Sequence, residues 1–261
     1  MQRRKTIDES IQNGYDFNIG AYISKGFELF KGNPGGYLGF TVVFIIISFI
    51  TSVIPILGTL VGIAINPPLM VGIPMAAHKQ ENYSDIEFGN FFKGFDHFAQ
   101  LIVANIITIL IYIIISLPLI FMLGFTFISA LASGDADTVM DSFDSFAGIG
   151  IWIILFILLF IYVGISLRWT NYLIVFHGYD AVSAIKTSWL LTNKKWFLHV
   201  GFVILCGLIM ILGMFALLVG IIFALPVIFA ADYAGFADVT GLNRTNEDID
   251  EIGSEPEFYS K

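Results

Sequence analysis

Four histidines, His78, His97, His177 and His199, are the side chains best suited to holding a metal, since imidazole is the commonest side-chain ligand for iron or zinc. No two of them stand three or four residues apart, and no His-Glu-x-x-His pattern accompanies them. They stay candidates because each falls near the same end of an apolar run or in a segment leading into one; no metal and no cofactor is assigned. Ser188 and Thr192 share a helix face but have no base nearby, so no catalytic nucleophile is assigned. A second group is polar rather than reactive. Asn66 precedes Pro67-Pro68, and prolines in a helix release backbone carbonyls that, with an amide, can line a polar pocket. Asn105 stands in an apolar run, where an interhelical hydrogen bond is worth about 0.6–2 kcal/mol. Arg168 and Asp232 carry opposite charges at the ends of two such runs and are available to pair. Asn66, Asn105, Arg168 and Asp232 are therefore the candidates for a polar pathway, with sealed kinks and structural pairing as the competing roles.

These residues are set in a chain that is 57% hydrophobic and 13% charged, against about 25% charge in an ordinary soluble domain. An all-α, polytopic membrane protein is expected. The net charge of −8 is unevenly spread: six of the 21 acidic residues lie between Glu247 and Glu257. Residues 239–261 accordingly read as an acidic, solvated, disordered tail. Basic residues are too dispersed for a nucleic-acid surface. Cys206 stands alone, which excludes an intrachain disulfide. Arg3, Arg4 and Lys5 lack an apolar run directly behind them, so no secretory signal is expected. Residues 1–17 then form a cytoplasmic tail ahead of a membrane domain covering 18–238.

A helix needs about 20 apolar residues to cross roughly 30 Å of hydrocarbon. Six segments qualify. The first apolar block splits at Ile54-Pro55-Ile56-Leu57-Gly58 into spans near 37–54 and 57–77, because Pro and Gly suit a tight turn. Residues 99–132 exceed one crossing. A single span from Ala99, kinked or ended near Pro118, leaves 119–132 beyond the membrane or along its interface. The fourth span covers 147–167 and ends at Arg168-Trp169, a snorkelling cation beside an interfacial aromatic. The last two lie near 195–214 and 217–236, with a weak break around Gly213 to Leu217. With this count all thirteen Lys and Arg residues fall on one side, whereas Ser133 to Phe146 has four Asp and no cation. Orientation follows the Lys/Arg bias, so both termini are expected in the cytoplasm and the spans in a bacterial inner membrane.

Before each odd-numbered span lies a segment with apolar residues at helical spacing: Ile19, Tyr22, Ile23, Phe27 and Phe30; then Phe88, Phe91, Phe92, Phe95 and Phe98; then Val182, Ile185, Trp189 and Leu190. Ser84-Asp85-Ile86-Glu87 matches a capping box, and Asp180 is placed to cap the third. All three read as amphipathic helices in the cytoplasmic interface. Lys25-Gly26-Phe27-Glu28-Leu29-Phe30 matches Lys93-Gly94-Phe95-Asp96-His97-Phe98 and, more distantly, Lys186-Thr187-Ser188-Trp189-Leu190-Leu191. The unit of lead helix plus two spans thus occurs three times in parallel orientation. Internal duplication and convergence among aromatic, Lys-bearing interfacial helices both fit.

The stretch Ala184-Ile185-Lys186-Thr187-Ser188-Trp189-Leu190-Leu191-Thr192, leading into an apolar hairpin that ends near Pro226 and Tyr233, resembles a loose superfamily of uncharacterised bacterial six-span membrane proteins. That superfamily includes the membrane domain fused to some glycerophosphodiester phosphodiesterases, and some flavobacterial relatives carry a beta-carotene monooxygenase label. The chain has no phosphodiesterase catalytic domain, and an oxygenase would need a four-histidine iron site. The expected function is a non-enzymatic scaffold or membrane-organising protein whose partners are the lipid bilayer and other membrane proteins, with no nucleic acid. The alternative is a transporter or lipid-handling protein with a site between repeated hairpins. A third is a metal-dependent membrane enzyme acting on an apolar substrate.

Overall fold

The computed structural model describes residues 2–83, 86–133, 136–215 and 219–243, and every secondary-structure element among them is helical. In chain order these are α1 (Gln2–Asn13), α2 (Ile19–Gly32), α3 (Pro34–Val53), α4 (Leu57–Met70), α5 (Gly72–Tyr83), a 3-10 helix (Phe88–His97), α6 (Phe98–Ser133), α7 (Ala136–Ser166), α8 (Thr170–His177), α9 (Ala181–Lys194), α10 (Trp196–Phe215) and α11 (Val219–Thr240). Six segments are long and apolar enough to cross a bilayer: Pro34–Val53, Leu57–Tyr83, Phe88–Phe125, Gly150–His177, Trp196–Phe215 and Gly220–Thr240. They pair as three hairpins, α3 with α4, α6 with α7 and α10 with α11.

The hairpins differ in height. Helices α3 and α10 have 20 residues each, about 30 Å at 1.5 Å per residue, which matches the hydrocarbon thickness. Helix α6 has 36 residues and reaches about 54 Å. Pro118 lies inside it and does not end it. In hydrocarbon any other backbone conformation would leave more groups unpaired, so a membrane helix absorbs a proline that would stop a soluble one. The segment expected to be an acidic loop is helical from Ala136 onward, as the first turns of α7; Asp135 lies outside the described residues, as do residues 244–261 of the expected tail, whose first residues are described, with Val239 and Leu242 buried.

The second helix of each hairpin is where the regular backbone is disturbed. Pro67-Pro68 precede a break at Val71 between α4 and α5, Leu167 to Trp169 separate α7 from α8, and α11 carries Pro226 without a break. At the far tip of the first hairpin, Leu57 N donates to Pro55 O at 2.6 Å across Ile56, whose φ of 58° and ψ of −65° describe a γ-turn. That conformation is strained for a β-branched residue.

All three lead segments are capped, the third at the expected Asp180, the first at Asn18 and the second at a shifted capping box. Asn18 accepts from Ala21 N at 3.1 Å, and Asp180 accepts from Val182 N and Ser183 N at 3.1 Å each. Hydrogen bonds from Ser183, side chain and backbone, hold the Asp180 carboxyl below its usual pKa. For the middle segment the cap is Glu87, reciprocated by Asn90, so the capping box begins three residues later than expected; Ser84 and Asp85 lie outside the described residues. The helix it starts is 3-10 rather than α. Three residues per turn put Phe91 and Gly94 on one line, and both are buried in the bundle.

These segments turn one face to the protein. Tyr22, Gly26 and Leu29 of α2 are buried, while Phe27 is exposed. The second and third lead segments pack on the second helix of the hairpin before them, and the first packs on α11 of the last hairpin, which closes the three units into a ring. A Cβ on Gly26 would meet Val227 O and Ala231 of α11, just after Pro226; one on Gly94 would meet Pro68 O and Val71. In the third, Ser188 and Thr192 donate to Ser166 O at 2.9 Å each, and Trp169 N donates to Ser188 Oγ at 3.2 Å. The residues ahead of the first span are folded too: Ile7 of α1 is fully buried and Ser10 Oγ donates to Val239 O at 2.8 Å.

Replacing Gly94 by alanine forces a side chain against the Pro68 carbonyl. The expected cost is about 1–3 kcal/mol, read as a lowered midpoint of thermal unfolding in detergent. Alanine at Gly89, which faces open space, is the control and should be neutral.

Candidate functional site

Arg168 sits in the break between α7 and α8, and the break aims it inward. Its side chain is only 11% exposed, and its guanidinium is paired with Asp232 of α11. The snorkelling arrangement expected from Arg168-Trp169 is therefore not what forms: Trp169 is fully buried and its Nε1 donates to the same Asp232 carboxylate at 3.1 Å. Tyr172 OH adds a third donor at 3.1 Å. A charge this deep needs every lone pair occupied, and lipid offers no competing partner. The guanidinium also lies 4.6 Å from the Phe202 ring centroid, a cation–π contact.

His199 extends the cluster. Arg168 Nη1 lies 3.2 Å from His199 Nδ1, and His199 Nε2 lies 2.7 Å from Tyr15 OH, which donates to Leu191 O at 2.9 Å. A guanidinium only donates, so Nδ1 accepts and Nε2 carries the ring proton. The histidine is thus a neutral relay between a buried cation and the segment that follows α1. Burial raises the Tyr15 hydroxyl pKa, and Arg168 only partly opposes this, so Tyr15 keeps its proton as a donor.

A second network lies beside α11. Tyr233 OH donates to Glu81 Oε2 at 2.9 Å, Asn243 Nδ2 donates to the same oxygen at 2.6 Å, and Lys25 lies 3.4 Å from Glu81 Oε1. Partial burial works against the Lys25 ammonium, but Glu28 and Glu81 outweigh it and raise its pKa. His78 Nδ1 is 2.9 Å from Tyr233 OH. His177 lies against Phe236, and His97 ends the 3-10 helix. His78 packs on Phe176, beside His177 in sequence, yet among the described residues no three His, Cys, Asp or Glu side chains converge as a metal site would require.

The other predicted pair does come together. Asn66 and Asn105 line one cleft of about 400 Å³ between the first hairpin, α6 and α8. Its wall also includes Ser48, Thr51 and Ser52 of α3, Thr59 and Gly62 of α4, and Asn171 of α8. Pro67 cannot donate to the carbonyl four residues back, which is that of Ile63. Asn105 Nδ2 supplies the missing donor at 2.9 Å. Thr51 and Ser52 hydroxyls are anchored on carbonyls of their own helix. Asn66 Oδ1 is buried and accepts no hydrogen bond. No lining residue carries a charge, and Ser52, Thr59 and Met70 leave the rim exposed.

Sequence reasoning missed Asn171 and the hydroxyls. The signal for part of it was present: Thr59, Gly62 and Asn66 recur at helical spacing along α4, a polar stripe on an apolar helix. Asn171 has no such signal, because only the break after Ser166 turns it toward the first hairpin. The arrangement offers amides and hydroxyls that can donate and accept hydrogen bonds.

Arg168→Met alone should leave the Asp232 carboxylate buried without its cation, at a cost of about 3–5 kcal/mol. Adding Asp232→Asn removes that charge while its amide oxygen keeps an acceptor for Trp169 and its NH2 can donate to the Tyr172 hydroxyl. The double variant should recover more than half of the loss in thermal unfolding measured in detergent.

No family model matches the chain, and neither the curated proteins nor the solved structures contain a match to it.

Proposed function

We propose that this is a transport or lipid-handling protein of a bacterial inner membrane that takes an uncharged ligand in the cleft at Asn66, Asn105 and Asn171. One observation carries the proposal: Asn66 Oδ1 is buried within a span and has no hydrogen-bond partner. A polar atom left unsatisfied in hydrocarbon costs several kcal/mol, roughly. Irregular or polar surface at that depth is tolerated where it lines a cavity that something polar fills. The volume of about 400 Å³ falls among ordinary small-ligand sites of about 300–1,000 Å³. A scaffolding role is the second reading, favoured by Phe27, Phe88 and Phe98, which stay exposed on or beside the lead segments.

The Lys/Arg distribution supports cytoplasmic termini. Duplication is supported by the way Gly26 and Gly94, at matching places in two lead segments, press on the backbone just after a proline in the hairpin each packs on. In that ring of three units, the seam holding the cleft is the one we assign to ligand.

Reporter fusions should read outside at residue 140 and inside at residues 185 and 250; a cytoplasmic reading at 140 overturns the orientation. For function, native mass spectrometry of the solubilised protein should show a bound small molecule that Asn66→Leu removes and Phe88→Ala leaves in place. A wild type with no bound species, together with a Phe88→Ala variant that loses partner proteins, would shift the assignment to scaffolding.

A further inference from the structure

Resting on that reading, we infer that the ligand is a lipid whose headgroup is uncharged and bears hydroxyls, of the diacylglycerol or neutral glycolipid kind, and that it enters sideways from the bilayer. Three features of the cleft bear on this: its charge, its depth and its opening.

Its wall carries no Asp, Glu, Lys or Arg. The one cation nearby in sequence, Arg168, is committed to Asp232 and His199. A phosphate headgroup would enter low dielectric without a counter-charge, and an ammonium would find no carboxylate; both are costly. Amides and hydroxyls each accept and donate, which matches alcohols. Asn66 Oδ1 lacks a donor, and a ligand hydroxyl supplies one.

The apolar borders of the cleft favour a lipid over a dissolved polyol. Asn66 stands nine residues into α4 from Leu57, about 14 Å along the helix, which is close to half the hydrocarbon thickness. The cleft runs from there to Gly58 and Thr59 beside the hairpin tip, and its rim is exposed along one flank, at Ser52 and Thr59 near the tip and at Met70 farther in. Large apolar side chains border it: Phe49 is 67% exposed, Leu60 61% and Ile106 44%. At membrane depth that flank is where acyl chains lie, so a lipid can insert its head between α3, α4 and α6 while its chains stay outside. Gly62 keeps the entrance wide, because a Cβ there would stand 3.3 Å from Asn66 Nδ2.

The test uses delipidated full-length protein in detergent with four probes: dioleoylglycerol, a monoglucosyl diacylglycerol, phosphatidylglycerol and free glycerol. The two neutral lipids should raise the unfolding temperature, and Asn66→Leu should weaken their binding about tenfold, the scale of one buried hydrogen bond. Gly62→Val should abolish the shift while its unliganded unfolding temperature stays within a few degrees of wild type, roughly the limit for a minor change in stability. Asn105→Leu is not used, since it also strips the donor from Ile63 O. Stabilisation by glycerol alone, in an Asn66-dependent way, would overturn the lipid assignment and leave a ligand-binding cleft. Equal stabilisation by phosphatidylglycerol would overturn the uncharged class. No shift with any probe, and none lost in Gly62→Val, would sink the cleft reading itself.

Discussion

Inside hydrocarbon there is no water to accept or donate a hydrogen bond, so each backbone group that a helix releases must be met by a particular side chain. Much of this bundle follows from that constraint. Pro67 releases Ile63 O, and Asn105 from α6 meets it, which ties the first hairpin to the second. The end of α7 releases Ser166 O, and Ser188 and Thr192 of α9 meet it. Where no side chain is sent, a glycine brings another backbone close instead, as at Gly26 and Gly94. The joints between units are thus the places where helices are imperfect.

The buried charges obey the same rule with higher stakes. Asp232 gathers Arg168, Trp169 and Tyr172, and Arg168 reaches on through His199 to Tyr15. Phe17 closes the far side, with its ring centroid 4.4 Å from that of His199. The segment joining α1 and α2 is therefore part of the core, covering an ionic centre that the fold could not leave open. The first helix is held by Ile7 and Ser10 for the same end.

How far the sequence reveals this depends on whether a feature is local. Six spans, the turn after Ile54 and the cap at Asp180 depend on neighbours in the chain and are legible there. So is the pairing of Arg168 with Asp232, because opposite charges at the ends of apolar runs have few alternatives; that Asn66 and Asn105 line one cleft is seen only in the fold. The 3-10 winding of Phe88–His97 is not legible, since Phe91 and Gly94 take that spacing to fit against Phe40 and Pro68, which are remote in sequence. The inward turn of Arg168 depends on the break beside it, and Asn171 enters the cleft wall by the same break. Arg168-Trp169 resembles a water-facing anchor until the acid on α11 is known to be opposite.

The unequal heights of the hairpins act on the surrounding lipid. Helix α6 keeps Phe121 and Phe125 exposed at 77% and 68%, about 35–40 Å along it from Phe98 and so farther than the whole length of α3 or α10. Acyl chains on that flank must stretch to cover them, or the bundle must lean until they are submerged. Either response gives the protein a thick side and a thin side, and an annulus of lipid graded around it. Each response costs only fractions of a kcal/mol, roughly, per ångström of mismatch, so the long hairpin sets how the lipid lies around the bundle.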